Sequence, residues 1–208
     1  MGPACNIELK ARVTDLDLAR KTAESLATSY LGVQEQTDTY VHCSQGRLKL
    51  REIVDYGPQP DGGTTPARVK RACTELISYD RPDEYDAKES FYHRVEMTDP
   101  ARVSELKSQM GTRAVVFKRR EVFLYHNVRI HLDEVAKLGT FLEFEAVLGD
   151  GIEAADGRAQ VALLEHKFGI ALDDLVEGSY VDLLTEKTSR TPPVQSGQSG
   201  RLSIPAGR

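Results

Sequence analysis

The sequence predicts an α+β domain in which antiparallel strands dominate. Stretch after stretch alternates apolar and polar residues with the period of two that a half-buried strand requires. A few amphipathic helices stand between and after these stretches, and short polar segments rich in Gly, Pro, Asp and Ser separate them. Runs of neighbouring strands joined by such turns imply antiparallel pairing within one domain.

The first strand is "NIELKARV". Ile7, Leu9, Ala11 and Val13 share one face, and Asn6, Glu8, Lys10 and Arg12 share the other. A helix is expected over Thr14 to Ser29, where Leu16, Ala19, Ala23, Leu26 and Ala27 recur at three- and four-residue steps, with Thr14 as its N-cap. Strands are expected at "VQEQTDTYVHC", "GRLKLREIV", "CTELISYDR" and "SFYHRVEM". The connections are "SQG", "DYGPQPDGGTTPAR" and "PDEYDAK". The helix "DPARVSELKSQMG" ends at Gly111. Three more strands follow, "RAVVFKRREVFLY", "VRIHLDEV" and "TFLEFEAV". A third helix, "IEAADGRAQVALLEHKFG", and a short fourth, "SYVDLLTEK", complete the folded part, residues 1–187. Residues 188–208 are rich in Ser, Gly, Pro and Gln and are expected to be a disordered tail.

Composition narrows the function classes. The 208 residues are 40% hydrophobic and 28% charged, ordinary for a globular protein with a real core. No apolar run nears the roughly 18 residues of a membrane span. The N-terminal segment lacks a signal-peptide layout, so a cytoplasmic location is expected. A net charge of −5 argues against nucleic-acid binding. The cysteines, Cys5, Cys43 and Cys73, form no C-x-x-C pair and support neither a disulfide framework nor a zinc site.

The charges are sorted by strand. Arg47, Lys49 and Arg51 share a face opposite Leu48 and Leu50, and Tyr79 lies with Arg81. Lys118 and Arg120 fall with Val116 and Val122. Arg129, His131 and Asp133 oppose Val128, Ile130 and Leu132, and Glu143 and Glu145 oppose Leu142, Phe144 and Ala146. An antiparallel sheet with one face in water also alternates. A solvated face, however, usually mixes signs, and here some strands are purely basic and one is purely acidic. Closing the sheet with its charged face inward gives an electrostatically divided cavity with helices outside. The basic walls suit phosphate oxygens, and the carboxylates suit Mg²⁺ or Mn²⁺. Removing one cation from such a cavity is expected to relieve repulsion and stabilise the empty protein. Gln36, Asp38 and Tyr40 are read as structural or rim positions, His131 as a bystander, and "PDGGTTPAR" as a hairpin loop without a P-loop lysine.

These residues resemble the CYTH domain, the triphosphate-tunnel family that includes class IV adenylate cyclases and thiamine triphosphatases. "NIELK" is similar to the family's opening E-x-E-x-K at Glu8 and Lys10 and departs from it at Asn6. "GRLKLRE", "VVFKRRE", "RIHLDEV" and "LGTFLEFE" resemble the later strands, and "GSYVDLL" resembles the cyclase branch. The resemblance implies an eight-stranded antiparallel β-barrel tunnel. It implies Glu8, Glu143 and Glu145 as metal ligands, with Lys10 and Asp133 in catalysis. It implies triphosphate contacts from Lys10, Arg47, Lys49, Arg51, Arg81, Lys118, Arg120 and Arg129, Arg81 standing where many members have lysine. The implied activity is the conversion of ATP to cyclic AMP and pyrophosphate. Hydrolysis of inorganic, thiamine or nucleoside triphosphate is the alternative, and a non-catalytic nucleotide- or polyphosphate-binding module the next. The implied partner is a small-molecule triphosphate, with neither nucleic acid nor membrane, and a homodimer stays open.

Overall fold

The computed structural model describes residues 4–58, 68–80, 87–149 and 151–190. Its strands are β1 (Ala4–Arg12), β2 (Ser29–Val41), β3 (Arg47–Gly57), β4 (Arg71–Asp80), β5 (Lys88–Met97), β6 (Thr112–Tyr125), β7 (Val128–Val135) and β8 (Gly139–Val147). They close into one antiparallel barrel in the order β1-β5-β4-β3-β2-β6-β7-β8. Closure removes the exposed strand edges an open sheet would leave. It also gives every strand an inside and an outside, so the period-two pattern becomes a partition between two cores.

The apolar side lies outside β1, β7 and β8. Ile7, Leu9, Ala11, Ile130, Leu132, Leu142, Phe144 and Ala146 are buried there with Ala19 and Ala23 of α1 (Leu16–Leu26) and Val161 and Leu164 of α3 (Ala154–Phe168). Gly157 lets α3 lie close: a Cβ there would come within 3.0 Å of Ile7 and nearer still to Leu148. Asp15, one residue after the expected Thr14, caps α1 by accepting from the Leu18 N–H. The remaining long helices are α2 (Pro100–Met110), capped by Asp99, and α4 (Tyr180–Arg190). Among the described residues no helix is long and apolar enough to cross a membrane.

A second apolar cluster closes one end of the barrel. Tyr40, Val116, Val135 and Phe141 pack there with Val176, Tyr180 and Val181. The Tyr180 ring meets Phe141 edge-on at 5.0 Å. This contact explains why α4 continues to Arg190, beyond the change in composition after residue 187. Apolar positions on its first turns are anchored in the barrel end, and the helix propagates from that anchor. Residues 191–208, the rest of the expected tail, lie outside the described residues, as does most of "PDGGTTPAR".

Candidate active site

The polar face of β1 points into the barrel. Asn6, Glu8 and Lys10 are each 4–7% exposed and line a cavity of about 410 Å³. Lys49 and Arg51 of β3, Lys118 and Arg120 of β6, Arg129 and His131 of β7, and Glu143 and Glu145 of β8 line the same cavity. Strand register sets their rows. Glu8 pairs across with Glu145 and Lys10 with Glu143, while Arg129 faces Glu145 and His131 faces Glu143.

The inward cations share a smaller set of carboxylates. Arg120 makes a two-pronged pair with Asp133, at 2.7 and 2.6 Å, and donates to Glu143 at 2.8 Å. Lys10 lies 3.5 Å from Glu143 and 3.9 Å from Glu8. Arg51 grips Asp38 with two hydrogen bonds, at 2.7 and 2.8 Å, and Lys49 donates to the same carboxylate at 2.9 Å. Removal of Arg51 or Arg120 would strand a buried anion, a cost that opposes any relief of repulsion among the cations. From the sequence alone Asp38 is a structural or rim residue. The feature that pointed to it was its position two residues from Gln36 and Tyr40 on the inward face of β2.

Two expected site residues are placed elsewhere. Asp133 is fully buried behind Arg120 and does not line the cavity. It accepts from the Tyr180 hydroxyl at 2.7 Å as well as from Arg120. In this position it braces the Arg120 and Tyr180 side chains. Arg47 is also absent from the cavity wall. It pairs with Asp182 of α4 at 2.9 Å, holding the helix on the barrel end. Arg81 lies outside the described residues. Tyr180 escaped the sequence reading: its ring lies 4.5 Å from the Lys10 ammonium and 5.1 Å from that of Lys118, joining α4 to the site.

Burial and charge set the protonation states. Burial opposes the ionised Asp38 and Glu143, yet Arg51 and Lys49 for the first, and Lys10 and Arg120 for the second, hold both carboxyls well below the usual range. Burial and then the Arg120 charge push His131 well below an ordinary histidine, so it is neutral. Burial and then Arg51 bring Lys49 down to about 8, and burial and then Arg120 bring Lys118 down to about 7.

A pH prediction follows from Lys118. The unfolded chain keeps this proton up to the ordinary lysine value of 10.5, whereas the folded protein releases it near 7. Between these values the unfolded state binds more protons, so stability rises with pH. Melting of the metal-free protein should therefore move upward from pH 7 to 9, and a flat or falling midpoint would contradict this state of Lys118.

His131, Glu143 and Glu145 offer ligand atoms within 4.8 Å of one another. Two carboxylates and an imidazole in a buried pocket form a donor set that fits a divalent cation. Glu8 lies alongside through its pairing with Glu145.

A closed antiparallel barrel with its charges inside is a tunnel fold. The chain belongs to the CYTH domain family, whose model matches residues 4–180; the family comprises triphosphate-acting enzymes that use divalent metals. The PH1012 protein of Pyrococcus horikoshii is similar in structure, with a TM-score of 0.66 and 24% identity over 86% of this chain and 98% of that one. A Vibrio parahaemolyticus protein proposed to be an adenylate cyclase gives 0.63 and 22%, over 89% and 99%. A Hippeastrum protein reported to have a dominant triphosphatase activity gives 0.54 and 10%, over 91% and 98%. At these identities the likenesses show the fold. Comparison with curated proteins returned no match.

Proposed function

We propose that this protein is a divalent-metal-dependent enzyme acting on a triphosphate, with ATP cyclisation to cyclic AMP and pyrophosphate as its reaction. One observation carries the reading. Lys10, Lys49, Arg51, Lys118 and Arg120 converge on a single cavity that also holds Glu8, Glu143, Glu145 and His131. A triphosphate is the small molecule whose charge matches such a basic wall, and its metal complex matches the acidic one.

Arg51, Lys118 and Arg120 bind phosphate oxygens. Asp38 and Asp133 keep the Arg51 and Arg120 forks oriented, which reduces the entropy lost on binding. Tyr180 closes one end of the barrel. Glu8, Glu143 and Glu145 would hold Mg²⁺ or Mn²⁺, which neutralises charge developing on the phosphates. In the reaction the ribose 3′-oxygen bonds to the α-phosphorus, the bond to pyrophosphate breaks, and the hydroxyl proton is released. The similarity of "GSYVDLL" to the cyclase branch supports this choice. Hydrolysis would use the same walls with water as the nucleophile, and the Hippeastrum neighbour is the reason to test it.

The test is incubation with ATP, tripolyphosphate or thiamine triphosphate in Mg²⁺ or Mn²⁺, with every product separated by chromatography. Cyclic AMP and pyrophosphate from ATP are expected. Orthophosphate from tripolyphosphate with no cyclic AMP would replace the cyclase by a hydrolase. Failure to bind any of the three would overturn the reading.

The β1 wall gives a second measurement. Asn6 is buried, and its side-chain oxygen has no hydrogen-bond partner. It brings no charge where the family pattern has a carboxylate. Asn6→Glu is expected to lower the Mg²⁺ concentration for half-maximal rate, and Glu8→Gln to raise it steeply or remove activity. If a metal titration leaves both curves in place, β1 does not serve the ion.

A further inference from the structure

We propose that His131 is a nitrogen ligand to the metal and tips the site from Mg²⁺ toward Mn²⁺. This rests on the metal reading above and goes beyond its carboxylate ligands.

His131 is 3% exposed and points into the cavity from β7, directly across from Glu143. Its Nδ1 is fully buried and has no hydrogen-bond partner. The nearest carboxylate oxygen, on Glu145, is 3.8 Å away, too far for a hydrogen bond. Buried polar atoms are rarely left unpaired, because the lost hydration is not recovered. A shared ion accounts for the spacing: two atoms each bound to one small divalent cation at about 2.1 Å lie roughly 3–4 Å apart. Glu143 supplies the third ligand atom within 4.8 Å of both.

The identity of the donor decides the ion. Mg²⁺ binds oxygen and dehydrates reluctantly. Imidazole is a better donor to a first-row transition ion than to Mg²⁺, so of the two ions proposed above Mn²⁺ is the one that a mixed nitrogen and carboxylate set favours. Asn6 strengthens the argument, since a site short of one carboxylate holds Mg²⁺ less well while the nitrogen ligand retains Mn²⁺.

The experiment uses the full chain, stripped of metal and then loaded with Mn²⁺ alone, without triphosphate. Pulsed electron paramagnetic resonance of the bound ion should show nitrogen coupling that changes when histidine is labelled with ¹⁵N. Calorimetry should show Mn²⁺ binding more tightly than Mg²⁺. In His131→Gln the Mn²⁺ affinity should fall by more than the roughly 10–100-fold that loss of an outer-shell partner costs, while Mg²⁺ affinity moves much less. Bound Mn²⁺ without nitrogen coupling in the unaltered protein would overturn the His131 assignment and leave the metal reading standing. Failure to bind either ion would overturn both. The resonance result on the unaltered protein decides the assignment even if the variant does not fold.

Discussion

Arg120→Ala is expected to destabilise the empty protein by about 3–5 kcal/mol and to abolish detectable triphosphate binding. The first effect comes from what the guanidinium leaves behind. Asp133 and Glu143 are 0% and 5% exposed, and both accept from Arg120. Truncation leaves two buried carboxylates with too little positive charge, the costly way to break a buried ion pair. Lys118, 3.7 Å from Asp133, and Lys10, 3.5 Å from Glu143, compensate in part. In a domain of this size such a loss lowers the melting midpoint by on the order of 10 °C. The second effect follows because the same fork is the proposed phosphate donor. Calorimetric melting and titration with tripolyphosphate measure the two separately. A variant as stable as the parent would mean that the Arg120 pairs do not form.

Glu143→Gln is expected to reduce turnover by roughly a thousandfold or more while the barrel survives. The side chain keeps its shape, but the ion loses an anionic ligand, a larger loss than the 10–100-fold typical of outer-shell partners. Lys10 and Arg120 also lose a shared counter-charge, so some stability goes with the activity. The decisive comparison is initial rate at saturating Mn²⁺ against melting midpoint. Retained activity at saturating metal would remove Glu143 from the metal wall. Loss of activity together with collapse of the fold would instead make it a structural counter-ion.

The elements were legible in the sequence because their signals are local. Alternation of the kind seen in "NIELKARV" and "VRIHLDEV" fixes which residues share a face, whatever the strand pairs with. Helix caps and glycine stops are equally local, and they erred by one residue at Asp15. The end of α4 was not legible, because it depends on Val181 and Tyr180 reaching the barrel end.

The sequence alone determined that the strands carry sorted charges, and that Lys10, Lys49, Arg51, Lys118, Arg120, Glu143 and Glu145 each share a face with other polar residues. Only the tertiary structure decided what those charges meet. Asp38 and Arg51 are 13 positions apart, and so are Arg120 and Asp133; Tyr180 and Asp133 are 47 apart. Such pairs depend on inter-strand register and barrel closure, which no single segment encodes. Register set Asp133 behind Arg120 and left Arg47 paired with Asp182 in the first turn of α4. It also carried His131, an apparent bystander, into contact range of two glutamates. A charge's neighbours in a folded chain are set by packing across strands, and packing is a property of the whole barrel.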